Sequence, residues 1–215
     1  MRRETIKNIV ITSAFFGSLW GMAEATLGYF FHFLSHIIPG IAGFFMFPIG
    51  FYFMTKALRE TGKLSSIFCT ASVAATIKLV DLFLPFLSPI DTLNPAVSIL
   101  MESLAVILVF RIVSLEKGAF GFKQALITSA GWRVAFALYL SIFSLPYGLL
   151  MSGFKNILRF LLLDSAINGI IIFAYLKIEK PKKEWPFARI MRAHPSISFL
   201  IVVVAISTEL IFSFI

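Results

Sequence analysis

The chain has little charge. Asp, Glu, Lys and Arg together make up 14% of its 215 residues, against roughly 25% in an average soluble domain. Acidic residues are the scarcer kind, 11 against 19 basic ones, and the net charge is +8. The single cysteine, Cys69, excludes an intramolecular disulfide framework and any multi-cysteine zinc or iron–sulfur site within the chain. HExxH, GxSxG and phosphate-cradling glycine-rich sequences are missing. Their absence removes the motif signals for a zinc protease, a serine hydrolase and a Walker-type ATP site. No DDxxD-like acidic cluster is present, and no soluble linker, low-complexity tract or clear repeat interrupts the chain. One compact unit is expected.

What the chain does have is apolar residues. They make up 59% of it, and mean hydropathy is +0.91. So much apolar surface does not fit inside one small globule, and lipid is its natural solvent. A helix needs about 20 apolar residues to cross ~30 Å of hydrocarbon. The sequence predicts an all-α, polytopic bundle of about seven spans, near 8–34, 40–58, 64–87, 94–115, 121–144, 154–177 and 197–215. Helix breakers separate them: Pro39-Gly40, Thr61-Gly62, Pro85 to Pro89, Gly118, Pro146 to Gly153, and Pro181 to Pro195. The opening MRRETIK has the charge of a signal-peptide start. The apolar run behind it is longer than the usual ~7–15-residue signal core and holds Glu24, so it reads as a retained span. Residues 1–180 form a six-helix core on this reading. Residues 181–215 add a basic loop and a further helix.

Basic residues set the expected orientation. Cytoplasmic loops of membrane proteins are rich in Lys and Arg. Arg2, Arg3 and Lys7 precede span one; Lys56, Arg59 and Lys63 follow span two; Arg111, Lys117 and Lys123 follow span four. Lys177, Lys180, Lys182, Lys183, Arg189 and Arg192 follow span six. These fifteen of the 19 basic residues share one side if seven helices alternate. The N-terminus is then cytoplasmic and the C-terminus outside, in a multi-pass protein of the cell membrane. The pI near 9.8 follows from the same asymmetry, and no nucleic-acid partner is implied.

Seven ionisable residues fall inside apolar stretches: Glu24, Lys78, Asp81, Glu102, Arg133, Asp164 and Glu209. A charge at a helix centre costs at least ~2.5–3.5 kcal/mol on insertion scales. Such residues face the bundle interior, pair, or line a wet cavity. Counted at ~1.5 Å per residue, they gather in the middle and outer layers, which suits a polar cavity open to the outside. Lys78 and Asp81, three apart, can pair locally, and Arg133 can pair with Glu102 or Asp164. Such pairs can equally serve packing alone. Five acids oppose only two bases, however, so internal pairing leaves some acids over. Glu24 and Glu102 rank first as substrate-binding groups, because neither has an opposite charge within one helical turn. Glu209, on the last span, ranks last. Asn94, beside Pro95 at the expected opening of span four, can cap that helix or join the cavity mouth with Asp91. Trp20, Phe83 and Trp132 are candidate apolar walls, and Pro146 to Gly153 a candidate outer loop.

Span one carries a second signal. Ser13, Gly17, Gly21 and Ala25 recur every fourth residue, giving a small face that lets another helix approach closely. That helix is either a neighbour within the bundle or a partner membrane protein. His32 and His36 have a spacing that can share a metal, but two interfacial histidines are the plainer reading, and no metal or cofactor is expected.

With its N-terminus inside, small residues at every fourth position of span one and polar residues in the outer half, the chain resembles the substrate-binding (S) component of an energy-coupling factor transporter. The resemblance is architectural and covers roughly residues 1–180. It implies capture of a vitamin or other cofactor precursor from outside. It also implies pairing with a transmembrane coupling protein and ATPase subunits, the chain itself being neither an ATPase nor an enzyme. Ser13, Gly17, Gly21 and Ala25 correspond in kind to that family's small-residue face, so Gly17, Gly21 and Ala25 are its expected partner contacts. The cobalt and nickel members begin Met-His, whereas this chain begins Met1-Arg2, which argues against metal import by that route. A seventh span departs from the usual six. Two other classes remain open: an intramembrane enzyme acting on a lipid or isoprenoid, and a structural subunit whose buried charges only lock helices. The topology is testable: on a Cys69→Ser background, Lys183→Cys is expected to resist an impermeant thiol reagent added outside, and labelling from outside overturns the orientation.

Overall fold

A computed structural model describes residues 2–34, 41–85, 87–115, 120–143, 153–178 and 194–214. The described residues are helical, without a strand. The helices are α1 (Arg2–Ala23), α2 (Tyr29–Leu34), α3 (Ile41–Thr61), α4 (Ser65–Leu79), α5 (Pro89–Leu115), α6 (Phe122–Ile142), α7 (Phe154–Leu158), α8 (Asp164–Ile178) and α9 (Pro195–Ser213). A π-helical turn, Glu24–Gly28, joins α1 to α2, and a second, Arg159–Leu163, joins α7 to α8. A 3-10 turn, Val80–Phe83, ends α4.

Six of these runs are long and apolar enough to cross a membrane: Glu4–Phe31, Ser65–Phe83, Pro89–Leu115, Phe122–Ile142, Phe154–Ile178 and Pro195–Ser213. This makes the chain a multi-pass helical membrane protein. The expected second span falls on α3, which is not among the six. α3 packs against α1, α4, α5 and α8, and its Phe47, Phe51 and Met54 are fully buried. Around it the bundle closes through α1–α4, α4–α5, α5–α6, α6–α8 and α8–α3 neighbours, and α9 lies against α1 from outside.

The boundaries follow local chemistry. Gly62, at φ +65°, donates its N–H to the Leu58 carbonyl and ends α3, the left-handed turn that glycine adopts without strain. α5 begins at Pro89, not near Asn94 as expected, so Asn94 and Pro95 lie inside the helix rather than at its opening. The missing N–H of a proline is tolerated at a first helical position, and Pro89 supplies it earlier than Pro95. Ser and Thr within the spans return their hydroxyls to the carbonyl four residues back, as Ser18 does to Ala14 at 2.6 Å and Thr128 to Gln124 at 2.7 Å. Such back-bonding satisfies the hydroxyl without a partner helix. The loops expected at Pro39-Gly40, Gly118 and Pro146 onward, the basic loop after span six, the His32 side chain and His36 lie outside the described residues.

The small face of α1 is used inside the bundle. A Cβ placed on Gly17 would come 2.6 Å from the Thr70 carbonyl oxygen and 2.6 Å from Val73 Cβ, both on α4. One on Gly21 would come 2.7 Å from Ile77 Cδ1. Ser13 Oγ donates to the Ser66 carbonyl of α4 at 3.4 Å, and Ala25 is buried. Of the two readings of this face, internal packing is the one the geometry carries: α4 stands where a partner protein would have to dock. The two glycines differ in what opposes them. Backbone cannot give way, whereas the tip of an isoleucine can. Gly17→Ala is therefore expected to lower the midpoint of thermal unfolding in detergent, by an overpacking cost of about 1–3 kcal/mol, and Gly21→Ala to lower it less. Equal midpoints for the two variants would contradict this account of the α1–α4 contact.

Candidate functional site

The buried charges form two hydrogen-bonded nodes. The first joins α4, its 3-10 turn and α9. Lys78 Nζ lies 2.7 Å from Asp81 Oδ2 and 2.6 Å from Glu209 Oε1. Ser213 Oγ donates to Asp81 Oδ1 at 2.7 Å. The expected Lys78–Asp81 pair is present, because three residues on a helix bring the two side chains together. Its third member is Glu209, the residue ranked last from sequence, which is 1% exposed. Phe83, expected as a cavity wall, is 86% exposed. The tighter 3-10 turn buries Asp81, and Phe83 two residues on is left facing outward.

The second node is built around Arg133 on α6, which is fully buried. Its Nη1 donates to the Ser129 carbonyl at 3.1 Å, and its Nη2 to the Gly43 carbonyl at 3.1 Å and to Asn168 Oδ1. The guanidinium stacks over Trp132 at 4.6 Å and Phe160 at 5.3 Å from the ring centroids. Arg133 is thus held by carbonyls, an amide and two rings rather than by the direct Glu102 or Asp164 pair expected from sequence. Those two carboxylates act on it through space.

Asn168 explains why this arrangement forms. Pro48 lies inside α3 and has no N–H, so the Phe44 carbonyl four residues earlier loses its helical donor. Asn168 Nδ2 supplies one, at 2.7 Å. In hydrocarbon a freed carbonyl must be satisfied by a neighbouring helix. The same amide presents its oxygen to Arg133, so one side chain of α8 repairs α3 and orients α6. Gly169 allows the approach: a Cβ there would lie 3.3 Å from Leu126 Cα on α6. Sequence reasoning missed Asn168, although an interior proline on one span and an asparagine in the middle of another are the signal that finds it.

Glu24 opens the first π turn and accepts a hydrogen bond from Trp20 Nε1 at 3.0 Å. Trp20, expected as a wall, is fully buried and fits against Gly50 of α3, where a Cβ would come 2.4 Å from its ring. Glu102 is buried on α5, and its Oε1 accepts from Ser98 Oγ at 3.4 Å. Asp164 follows the second π turn and is buried, with Oδ1 3.8 Å from Arg159 Nε. Asn94 is buried, its Oδ1 3.4 Å from Tyr139 Oη. Lys78 acts electrostatically on Glu24, Glu24 on Glu102, and Glu102 on Arg133. Of the expected site residues, Lys78 and Asp81 are fastened to α9 rather than to Arg133.

Four polar atoms on Arg133 and its neighbours have no hydrogen-bond partner among the described residues, although Asp164 Oδ1 stands 3.8 Å from Arg159 Nε. Glu102 Oε2, Trp132 Nε1, Arg133 Nε and Asp164 Oδ1 are all buried. They lie on α5, α6 and α8, which are successive neighbours. Two are acceptors and two donors, and each such group left bare in an apolar interior costs several kcal/mol on a water-to-hydrocarbon scale.

The proline link predicts a non-additive pair. Asn168→Leu is expected to cost about 1–3 kcal/mol of stability by leaving the Phe44 carbonyl bare. In a Pro48→Ala background, where the residue at position 48 again donates to that carbonyl, the cost is expected to fall by about 0.5–3 kcal/mol. Additive thermal shifts for the two substitutions would refute the link. No protein-family profile, no curated protein and no solved structure matches the chain.

Proposed function

We propose that the chain is the substrate-capture subunit of an energy-coupled importer in the cell membrane, and that it binds a small polar molecule among Glu24, Glu102, Trp132, Arg133 and Asp164. The observation that carries this reading is the set of buried donors and acceptors on α5, α6 and α8 that have no hydrogen-bond partner among the described residues. A molecule with both donor and acceptor groups, such as a vitamin or cofactor precursor, completes them. The apolar frame of a small-molecule site is also present, with Trp132 packed against Phe47 at 5.5 Å and Phe160 at 5.9 Å. Ligand sites combine such walls with a few placed polar groups. The two π turns add support. Each flanks one of the carboxylates, Glu24 or Asp164, and π-helical turns recur at functional positions.

Energy coupling on this proposal comes from a transmembrane coupling protein and ATPase subunits, since the chain has no Walker sequence. Their docking surface lies on a face of the bundle other than Gly17 and Gly21, which α4 covers.

The test is direct. Mass spectrometry of what co-purifies in detergent identifies a candidate ligand, and its affinity is then measured for wild type, Glu24→Gln and Glu102→Gln. A hydrogen bond to a charged group is worth about 1.5–3 kcal/mol, so folded variants are expected to bind roughly ten-fold to a hundred-fold more weakly. Unchanged affinity in both removes the proposed site and leaves the buried charges as structural pairs.

A further inference from the structure

The Lys78 node gathers two acids on one base, and its atoms are unevenly satisfied. Lys78 Nζ is shared between Asp81 Oδ2 at 2.7 Å and Glu209 Oε1 at 2.6 Å. Asp81 takes a second donor on its other oxygen, the Ser213 hydroxyl at 2.7 Å. Both oxygens of Asp81 are thus served as those of an ionised carboxylate, which only accepts. Glu209 is served on one side only: its Oε2 is buried and has no donor among the described residues. Asp81 stands beside it, since both carboxyl groups grip the same ammonium and lie within hydrogen-bonding reach of each other.

Among the described residues no further base completes the set. α9 packs against α1, the π turn Glu24–Gly28, α4 and the 3-10 turn. α4 contributes Lys78, with Cys69 more than two turns away, and the 3-10 turn contributes Asp81. The π turn contributes Glu24, a third acid, which feels Lys78 through space. α1 lies alongside α9, with Ile201 packed on the cluster that holds Phe15 and Phe16, and α2 brings Tyr29 against Phe212. The charged residues of α1 fall in its first two turns, at the opposite end from Glu209. With both acids ionised the node would carry one net negative charge, although Asp81 and Glu209 are only 2% and 1% exposed. An uncompensated buried charge is strongly unfavourable, and of two carboxylates sharing a site one retains its proton.

We propose that Glu209 is a proton-binding site: a proton on Oε2 turns the bare oxygen into a donor toward the Asp81 carboxylate and makes the node neutral. Ammonium, carboxylate and carboxylic acid then satisfy one another atom by atom. The proton comes from water at the helix ends. Asp81 stands in the turn that closes α4, Glu209 stands one turn from the end of α9, and Lys78 is 23% exposed. Release returns the proton there and leaves a net negative charge at the contact that fastens α9 to α4. The seat of α9 therefore holds in acid and loosens in alkali. None of the residues proposed to bind substrate around Arg133 takes part.

Infrared spectroscopy of the full chain in detergent reads the proton directly, because a protonated carboxyl group has a carbonyl stretch that a carboxylate lacks. Wild type at neutral pH is expected to show such a band, and Glu209→Gln to lose the part due to one carboxyl group. Asp81→Asn is expected to lose the same band, because the single acid left in the node then ionises against Lys78. Raising the pH is expected to remove the band from wild type and to lower its thermal-unfolding midpoint. The midpoint of Glu209→Gln is expected to fall less, since the amide keeps a donor toward Asp81 at every pH. Identical bands in wild type and Glu209→Gln overturn the proposal, because Glu209 is then ionised. So does a band that persists in Asp81→Asn, or a midpoint that falls equally in wild type and Glu209→Gln. Should Glu209→Gln fail to fold, Asp81→Asn is read alone: loss of the band supports the proton site and its retention overturns it.

Discussion

A polar group carried into hydrocarbon has no water to fall back on, and the architecture of this chain is arranged around that constraint. Its most consequential instance is the Phe44 carbonyl, bared by Pro48 in the middle of the bundle. The repair comes from Asn168 on α8, which draws α3 and α8 together and leaves the amide oxygen for Arg133. Arg133 in turn reaches the Gly43 carbonyl and spreads its charge over Trp132 and Phe160. Three helical runs, α3, α6 and Phe154–Ile178, are tied by these contacts without a direct ion pair. Replacing a guanidinium's carboxylate partner with carbonyls and rings leaves Glu102 outside any ion pair with Arg133, while Asp164 faces Arg159.

That division of labour separates the two nodes. At Lys78 the charges meet one another and Ser213, with Glu209 Oε2 left without a hydrogen-bond partner among the described residues, and the result is a fastening between α4 and α9. At Arg133 the anchoring is done by neutral groups, and Glu102 nearby keeps an oxygen without a hydrogen-bond partner among the described residues. Buried ion pairs specify arrangement more reliably than they stabilise it. A site for a ligand needs the opposite arrangement, with groups held in place by something other than one another.

Much of the fold was legible in the sequence, because hydropathy and positive charge are bulk signals that need no partner. The apolar runs marked the helices, and the three-residue spacing of Lys78 and Asp81 marked a local pair. Contacts between distant positions were not legible in the same way. Glu209 sits 131 residues from Lys78, and nothing local to its span indicates that it meets a lysine. Arg133 was expected to seek a carboxylate because only side chains were counted as partners; backbone carbonyls carry no letter of their own. Phe83 was misplaced because the change from α to 3-10 geometry rotates the residues after Val80. The small face of span one was legible as a close contact, but its pattern does not say which helix fills it, and α4 does.

The fastening of α9 has a consequence for how the protein is made. Only 17% of its apolar window is buried within the bundle, so lipid supplies most of its environment, yet it brings Glu209 into the membrane. Helices enter a bilayer in the order of synthesis, and α9 is the last described. By then α4 has already delivered Lys78, waiting beside Asp81 with a charge of its own to satisfy. The acid of the late helix and the base of the early one each lower the insertion cost of the other. Insertion of α9 is therefore a docking event that must find one place on the α1–α4 surface, and a bundle without it would keep its lysine unclaimed by its second acid.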